Sequence, residues 1–415
     1  MTRAAPLLFA TDPRRLGILF IATAMIAGLV TLGVTAVMSL GTGPASLGTA
    51  HGVLITLFVL IPVLLGGFGN ALLPTRIGAK GLAFPRLSNL TWWLYILALG
   101  CAMTALFSGT VWPWGLIALV LIGISQILGA IIALTTFINM RAMPMAQAPV
   151  FAWAVALASA VILVSTPVVA AASLVLMAET TAPETETLRR ILWIIGQPQM
   201  VILALPALGL LAEIGASEKH WPRQAMVTVL GLMALVGTVL WMDRAMNAPA
   251  LPDADAMFRL SAAIITPAGI CIAGLWLAFW RNATLAPGIL GGGIVTATLI
   301  GTALAMSSNI GADRLHAMLG IASIFAAYAG FQMWFGIFTG RAMAPRAGAV
   351  QAALAVAGGM LTLWTNAPLA LHAGLVISFI GFAALIVIAI HAAIHGPAVT
   401  SQGHILPDQP SRALT

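Results

Sequence analysis

Long apolar segments recur along almost the whole chain, and they constrain its fold more than any other feature. A helix that crosses a bilayer core of ~30 Å needs roughly 20 mainly apolar residues. Twelve segments reach that length, with approximate limits 16–40, 51–73, 91–109, 113–138, 151–178, 188–214, 224–245, 257–280, 286–307, 314–337, 347–367 and 370–395. We therefore predict an all-α membrane protein, in which residues 1–395 form one twelve-helix transmembrane bundle and residues 396–415 form a short tail.

Charged residues are too scarce to cover a surface exposed to water. Only 7% of the residues are charged and 61% are hydrophobic, whereas a soluble domain carries about 25% charged residues. If the twelve segments alternate, thirteen of the eighteen Lys and Arg residues fall on the side of the N-terminus. The positive-inside rule then places both termini in the cytoplasm. We expect a multi-pass protein of a bacterial cytoplasmic membrane, with lipid around it and no nucleic-acid partner.

Three histidines begin predicted spans on the same side of the membrane. His51, His316 and His372 each open an even-numbered segment, and these segments start at the outer surface. Two imidazoles at one depth on facing helices can ligate a haem iron axially. Alternatively, each is an interfacial histidine that makes a hydrogen bond and binds no metal. The residues alone leave both interpretations open.

A run of small residues interrupts the second segment. Residues 66–70 read Gly-Gly-Phe-Gly-Asn, so one stretch of helix is almost free of side chains. A planar cofactor or a tightly packed neighbouring helix could approach such a backbone closely, and close helix packing is the more common explanation.

A relay of acidic residues across the membrane is missing from the sequence. Glu213 and Asp243 are the only acids within the predicted spans, and both lie at span ends. A proton pump normally needs ionisable groups partway across the bilayer. We therefore expect no proton pumping.

The stretch from His51 to Trp93 resembles the second and third helices of subunit I of the haem–copper oxidases. The matching motifs are the run 66–70, the motif Ala-Phe-Pro-Arg-Leu at 83–87, and parts of 123–142 and 325–340, so that the resemblance covers roughly residues 11–395. That family also has twelve helices. The resemblance implies that His51 and His316, rather than His372, are the axial ligands of a low-spin haem.

At other positions the chain lacks the residues that the family has there. Most of these positions fall at the family's oxygen-reducing centre. The resemblance places Gln197 at a copper-ligand histidine, Gln199 at a buried glutamate, and Leu240 and Trp241 at a pair of copper-ligand histidines. Neither Leu nor Trp can give copper a lone pair. Arg314 stands at the high-spin haem ligand, and arginine stays protonated in proteins. We therefore expect a degenerate member with no copper and no high-spin haem.

The family's proton channels and its haem contacts are altered as well. The channel-entrance aspartate of the family falls on Gly81, and the lysine of its second channel falls on Cys271. An arginine that contacts the formyl group of haem A falls on Ser39, so haem of type B or O is expected rather than type A. The guanidinium of Arg314 could pair with a haem propionate.

Three functions fit these patterns. The first is a membrane haem protein that carries one bis-histidine low-spin haem for electron transfer within a respiratory-type complex, without oxygen reduction or proton pumping. The second is a haem-free scaffold or assembly subunit of a membrane complex. The third is a divergent but active terminal oxidase subunit. We favour the first, with other membrane subunits as partners, and do not expect an active oxidase.

Overall fold

The computed structural model describes residues 8–39, 46–109, 111–178, 185–214, 222–247, 254–279, 285–306, 312–364 and 368–399. Within these ranges, side chains are described except at 39, 46, 49, 185–195, 197, 244–247, 254–262, 300–306, 312–316, 364 and 368. This part of the chain is almost entirely helical, as the apolar pattern predicts.

The helices follow the chain as α1 to α12. They are α1 Pro13–Ser39, α2 spanning 46–76, α3 Pro85–Ser108, α4 Trp114–Asn139, α5 Val150–Met177, α6 Thr185–Glu213, α7 Arg223–Asn247, α8 Ala254–Phe279, α9 Leu285–Met306, α10 Ala312–Thr339, α11 Pro345–Trp364 and α12 Pro368–His395. Nine helices in the described ranges are long and apolar enough to cross a membrane, and α6, α8 and α9 contain shorter apolar stretches. The protein is thus an all-helical membrane protein, while the count of twelve spans stays a prediction.

Helix α2 is irregular at its centre. Its segments Leu54–Leu60 and Pro62–Gly69 are π-helical, between the α-helical segments Ser46–Val53 and Asn70–Arg76. Pro62 has no N–H group to donate, so the usual hydrogen-bond ladder cannot continue through it. The buried Tyr95 hydroxyl of α3 donates to the Phe58 carbonyl oxygen at 2.6 Å, so a side chain satisfies this backbone acceptor.

Helices α1 and α2 approach closely along the glycine run. A Cβ atom added to Gly17 would lie 2.6 Å from the carbonyl oxygen of Gly67 and 2.8 Å from the Cβ of Ala71. A Cβ atom added to Gly66 would lie 2.5 Å from the ring of Phe20. Of the two interpretations of the run, the described residues support close helix packing.

An acidic side chain connects the ends of three helices. The Glu213 carboxylate, at the end of α6, accepts a hydrogen bond from the backbone N–H of Phe151 at 3.2 Å. Its other oxygen lies 3.7 Å from a guanidinium nitrogen of Arg76, at the end of α2. A carboxylate at the first turn of α5 also interacts favourably with the dipole of that helix. Glu213 therefore has a structural role at the helix ends.

The chain divides into two compact units. The first consists of Met1–Asn282 with Ile294–Ala327, and the second of Ala283–Gly293 with Tyr328–Thr415. Within the second unit, α11 and α12 pack through small residues, since a Cβ atom on Gly358 would lie 2.5 Å from the backbone nitrogen of Ser378. That residues 1–395 form a single domain remains a prediction.

Candidate functional site

The histidine that begins the second predicted span lies beside helix α1. His51 belongs to the α-helical segment Ser46–Val53 and is half-buried. Its Nδ1 atom lies 3.1 Å from the hydroxyl oxygen of Thr35 on α1. Both residues belong to the first compact unit.

The hydroxyl of Thr35 lies between two partners. Its oxygen lies 2.9 Å from the backbone carbonyl oxygen of Thr31 and 3.1 Å from Nδ1 of His51. A hydroxyl has one hydrogen to give. When that hydrogen goes to the Thr31 carbonyl, the Thr35 oxygen accepts from the Nδ1–H group of His51. In the neutral ring, Nε2 then holds a free lone pair, as a metal-ligating imidazole requires.

A hydrogen bond of this kind is a common feature of metal-binding histidines. The second ring nitrogen of a ligating histidine usually donates to an oxygen that fixes both the tautomer and the orientation of the ring. Thr35 is in that position relative to His51. The donor set at His51 therefore fits a haem iron, with Nε2 as the ligating atom.

The sequence did not identify Thr35 as part of this site. The available signal was the pair Thr31 and Thr35, two hydroxyls four residues apart in the uncharged span 16–40. Such a pair lies on one helix face. Which residue of α2 that face would meet could not be read from the sequence, because it depends on how α1 and α2 pack.

The other proposed haem contacts lie at the start of α10. Arg314 and His316 are the third and fifth residues of Ala312–Thr339, and their side chains lie outside the described residues. His372 is half-buried at the start of α12, in the second compact unit. The pairing of His51 with His316 therefore remains a prediction.

Two of the positions that depart from the family pattern are buried on neighbouring helices. Gln199 of α6 is 4% exposed and Trp241 of α7 is 5% exposed. Helices α6 and α7 pack closely near these two residues. A Cβ atom added to Gly237 of α7 would lie 2.8 Å from the side chain of Val201 of α6. Neither the Gln199 amide oxygen nor the Trp241 indole nitrogen has a hydrogen-bond partner among the described residues.

These two groups are unsuited to holding copper of the imidazole-ligated type. The indole nitrogen of Trp241 carries a hydrogen and is a donor only. An amide oxygen such as that of Gln199 is a hard ligand, whereas imidazole suits copper better. Leu240 is half-buried on α7, and the side chain of Gln197 lies outside the described residues.

The two positions that the resemblance assigns to proton channels lie in a turn and on α8. Gly81 is in the turn between α2 and α3, with no atom within 4 Å of an added Cβ. Cys271 is a free, exposed cysteine on α8. Ser39 ends α1, and its side chain is not among those described.

Within the described ranges, no group of three His, Cys, Asp or Glu side chains could hold a metal ion.

Comparisons with known proteins identify the family of the chain. The family model described as Cytochrome C and Quinol oxidase polypeptide I matches residues 15–394. Cytochrome c oxidase subunit 1 of Cereibacter sphaeroides is 30% identical over 370 residues, covering 76% of this chain and 65% of that protein. Cytochrome c oxidase subunit 1 of Yarrowia lipolytica (strain CLIB 122 / E 150) is 27% identical over 392 residues, covering 79% of this chain and 73% of that protein.

The family match spans nearly the whole helical part of the chain. It agrees with the resemblance carried by the second and third helices and with the all-helical membrane fold. The chain spans less than two thirds of the Cereibacter sphaeroides protein, at 65% of its length. The chain belongs to the Cytochrome C and Quinol oxidase polypeptide I family.

Proposed function

We propose that this chain is a membrane haem protein that carries one low-spin haem between His51 and His316 and transfers electrons within a respiratory-type complex. It reduces no oxygen and pumps no protons. Family members are membrane subunits of respiratory complexes, so other membrane subunits are its expected partners. A haem held by two imidazoles supplies one-electron chemistry and leaves no open iron position for a small substrate.

The observation that carries this proposal is the hydrogen bond between His51 and Thr35. With its hydrogen given to the Thr31 carbonyl, the Thr35 hydroxyl accepts from Nδ1 of His51 and leaves Nε2 as the ligand. This is the arrangement in which the second ring nitrogen of a metal-ligating histidine usually stands. His316 is the proposed second ligand by its match to the family motif.

The loss of oxygen chemistry is proposed from the residues at the former copper centre. Trp241 offers only an N–H group there, and Leu240 offers no donor atom. Arg314 replaces the high-spin haem ligand and is proposed to pair with a propionate of the remaining haem. Gly81, Gln199 and Cys271 leave the two proton channels without the ionisable groups of the family. The haem is proposed to be of type B or O.

An optical experiment on the purified full chain tests this function. A reduced-minus-oxidised spectrum with a pyridine haemochrome assay should show one haem per chain, of low-spin type, that does not change when carbon monoxide is added. Absence of haem would contradict the proposal and point to the scaffold function. A second haem that binds carbon monoxide would instead indicate an active oxidase subunit.

The variant Thr35→Val tests the role of the hydroxyl. Valine has nearly the same shape but cannot accept a hydrogen bond from His51, so the ring loses the partner that fixes its tautomer. We expect haem affinity to fall by about 10-fold to 100-fold, with a shifted reduction potential. Haem titration of the apoprotein and a redox titration measure these changes.

Thr35→Ser is the matched control, because serine retains the hydroxyl and should keep both haem affinity and potential close to those of the parent. If valine and serine gave the same affinity and the same potential, the hydroxyl of Thr35 would have no part in haem binding.

A further inference from the structure

A second pair of histidines lies at the C-terminal end of α12, in the second compact unit. His391 and His395 are four residues apart, and their ring centroids are 4.9 Å apart with an angle of 32° between the planes. Both side chains are exposed. Neither ring has a hydrogen-bond or ion-pair partner among the described residues, so their nitrogens are available to an external ligand.

This geometry suits the chelation of one metal ion. Residues at positions i and i+4 of a helix lie on the same face, one turn apart. Two histidines with this spacing supply two ligands to one zinc ion in helical metal sites. The C-terminal end of a helix also carries partial negative charge, which favours a nearby cation.

We propose that His391 and His395 form a peripheral binding site for a divalent transition-metal ion of the copper and zinc class. Imidazole nitrogen suits these ions, whereas calcium and magnesium prefer oxygen ligands. Water or a ligand from solution completes the coordination, because both rings are exposed. The site is independent of the proposed haem, which involves neither residue.

The surrounding charges make this a site of moderate affinity. In the described part of the second unit, the charged side chains are those of Arg341 and Arg346, and there is no carboxylate. Arg341 donates to the carbonyl oxygen of Gly396, one residue after His395, at 2.7 Å. A cation at this end opposes metal binding.

Copper binding followed by electron paramagnetic resonance tests the site on untagged full-length protein. Cu²⁺ is the probe because its spectrum reports the number of coordinating nitrogens. We expect one Cu²⁺ ion per chain with hyperfine structure from two imidazole nitrogens, displaced by excess Zn²⁺. His391→Ala and His395→Ala should each lower the affinity at least ~100-fold, because chelation by two linked ligands becomes binding by one.

A register variant provides the sharpest control. His391→Ala/Ala393→His keeps the number of imidazoles, but residues two apart do not face each other on a helix. Position 393 is exposed like position 391, so the change should not disturb folding. His372→Ala, near the other end of α12, should leave binding unchanged. If the register variant bound Cu²⁺ with the affinity and the two-nitrogen spectrum of the parent, the proposal would be wrong.

Discussion

His51→Ala is expected to reduce the haem content of the purified protein from one per chain to none. A bis-histidine haem loses one of its two protein ligands in this variant, and the first compact unit has no other histidine whose side chain is described. The proposed contacts that remain are the single ligand His316, the pairing of Arg314 with a propionate, and the packing of the porphyrin against apolar side chains. The pyridine haemochrome assay, normalised to protein concentration, measures the loss directly.

Two comparisons separate loss of the ligand from loss of the fold. His372→Ala removes a histidine at a similar position of another helix and should retain one haem per chain. Haem and imidazole added together should restore a low-spin spectrum to His51→Ala, because a small ligand can occupy the space left by the ring. Full haem content in His51→Ala without added imidazole would show that another residue is the ligand, and the proposed haem site would be wrong.

Much of the fold could be predicted because a membrane-spanning helix has a strong sequence signal. The predicted segments 113–138 and 151–178 differ from α4 and α5 by one residue at each end. The apolar run must match the thickness of the bilayer, so its limits are visible in the sequence. The π-helical centre of α2 was not predicted, since a proline inside a span can be accommodated in several ways.

The candidate site could be predicted less completely. His51 was found from its depth and from the family resemblance, but its hydrogen bond to Thr35 depends on the packing of α1 against α2. That Gln197, Leu240 and Trp241 replace copper-ligand histidines stays a prediction from the family resemblance. The sequence could not show that Gln199 and Trp241 are buried, with polar atoms that have no partner among the described residues, because burial depends on the neighbouring helices.

The second large effect is expected for Gly17→Ala, where the backbone of α1 lies close to that of α2. An added Cβ atom would lie 2.6 Å from the carbonyl oxygen of Gly67. That oxygen belongs to the backbone and cannot rotate away, so the helices must separate locally. Overpacking of this kind costs about 1–3 kcal/mol in free energy of unfolding.

Gly33→Ala is the matched control on the same helix, because nothing lies within 4 Å of an added Cβ at that position. Both substitutions change the helix propensity of α1 equally, so a difference between them reports packing against α2. Thermal unfolding in detergent, followed by tryptophan fluorescence, should show a lower midpoint for Gly17→Ala and little change for Gly33→Ala. Equal unfolding midpoints in the two variants would mean that the contact between Gly17 and Gly67 does not limit the packing of α1 against α2.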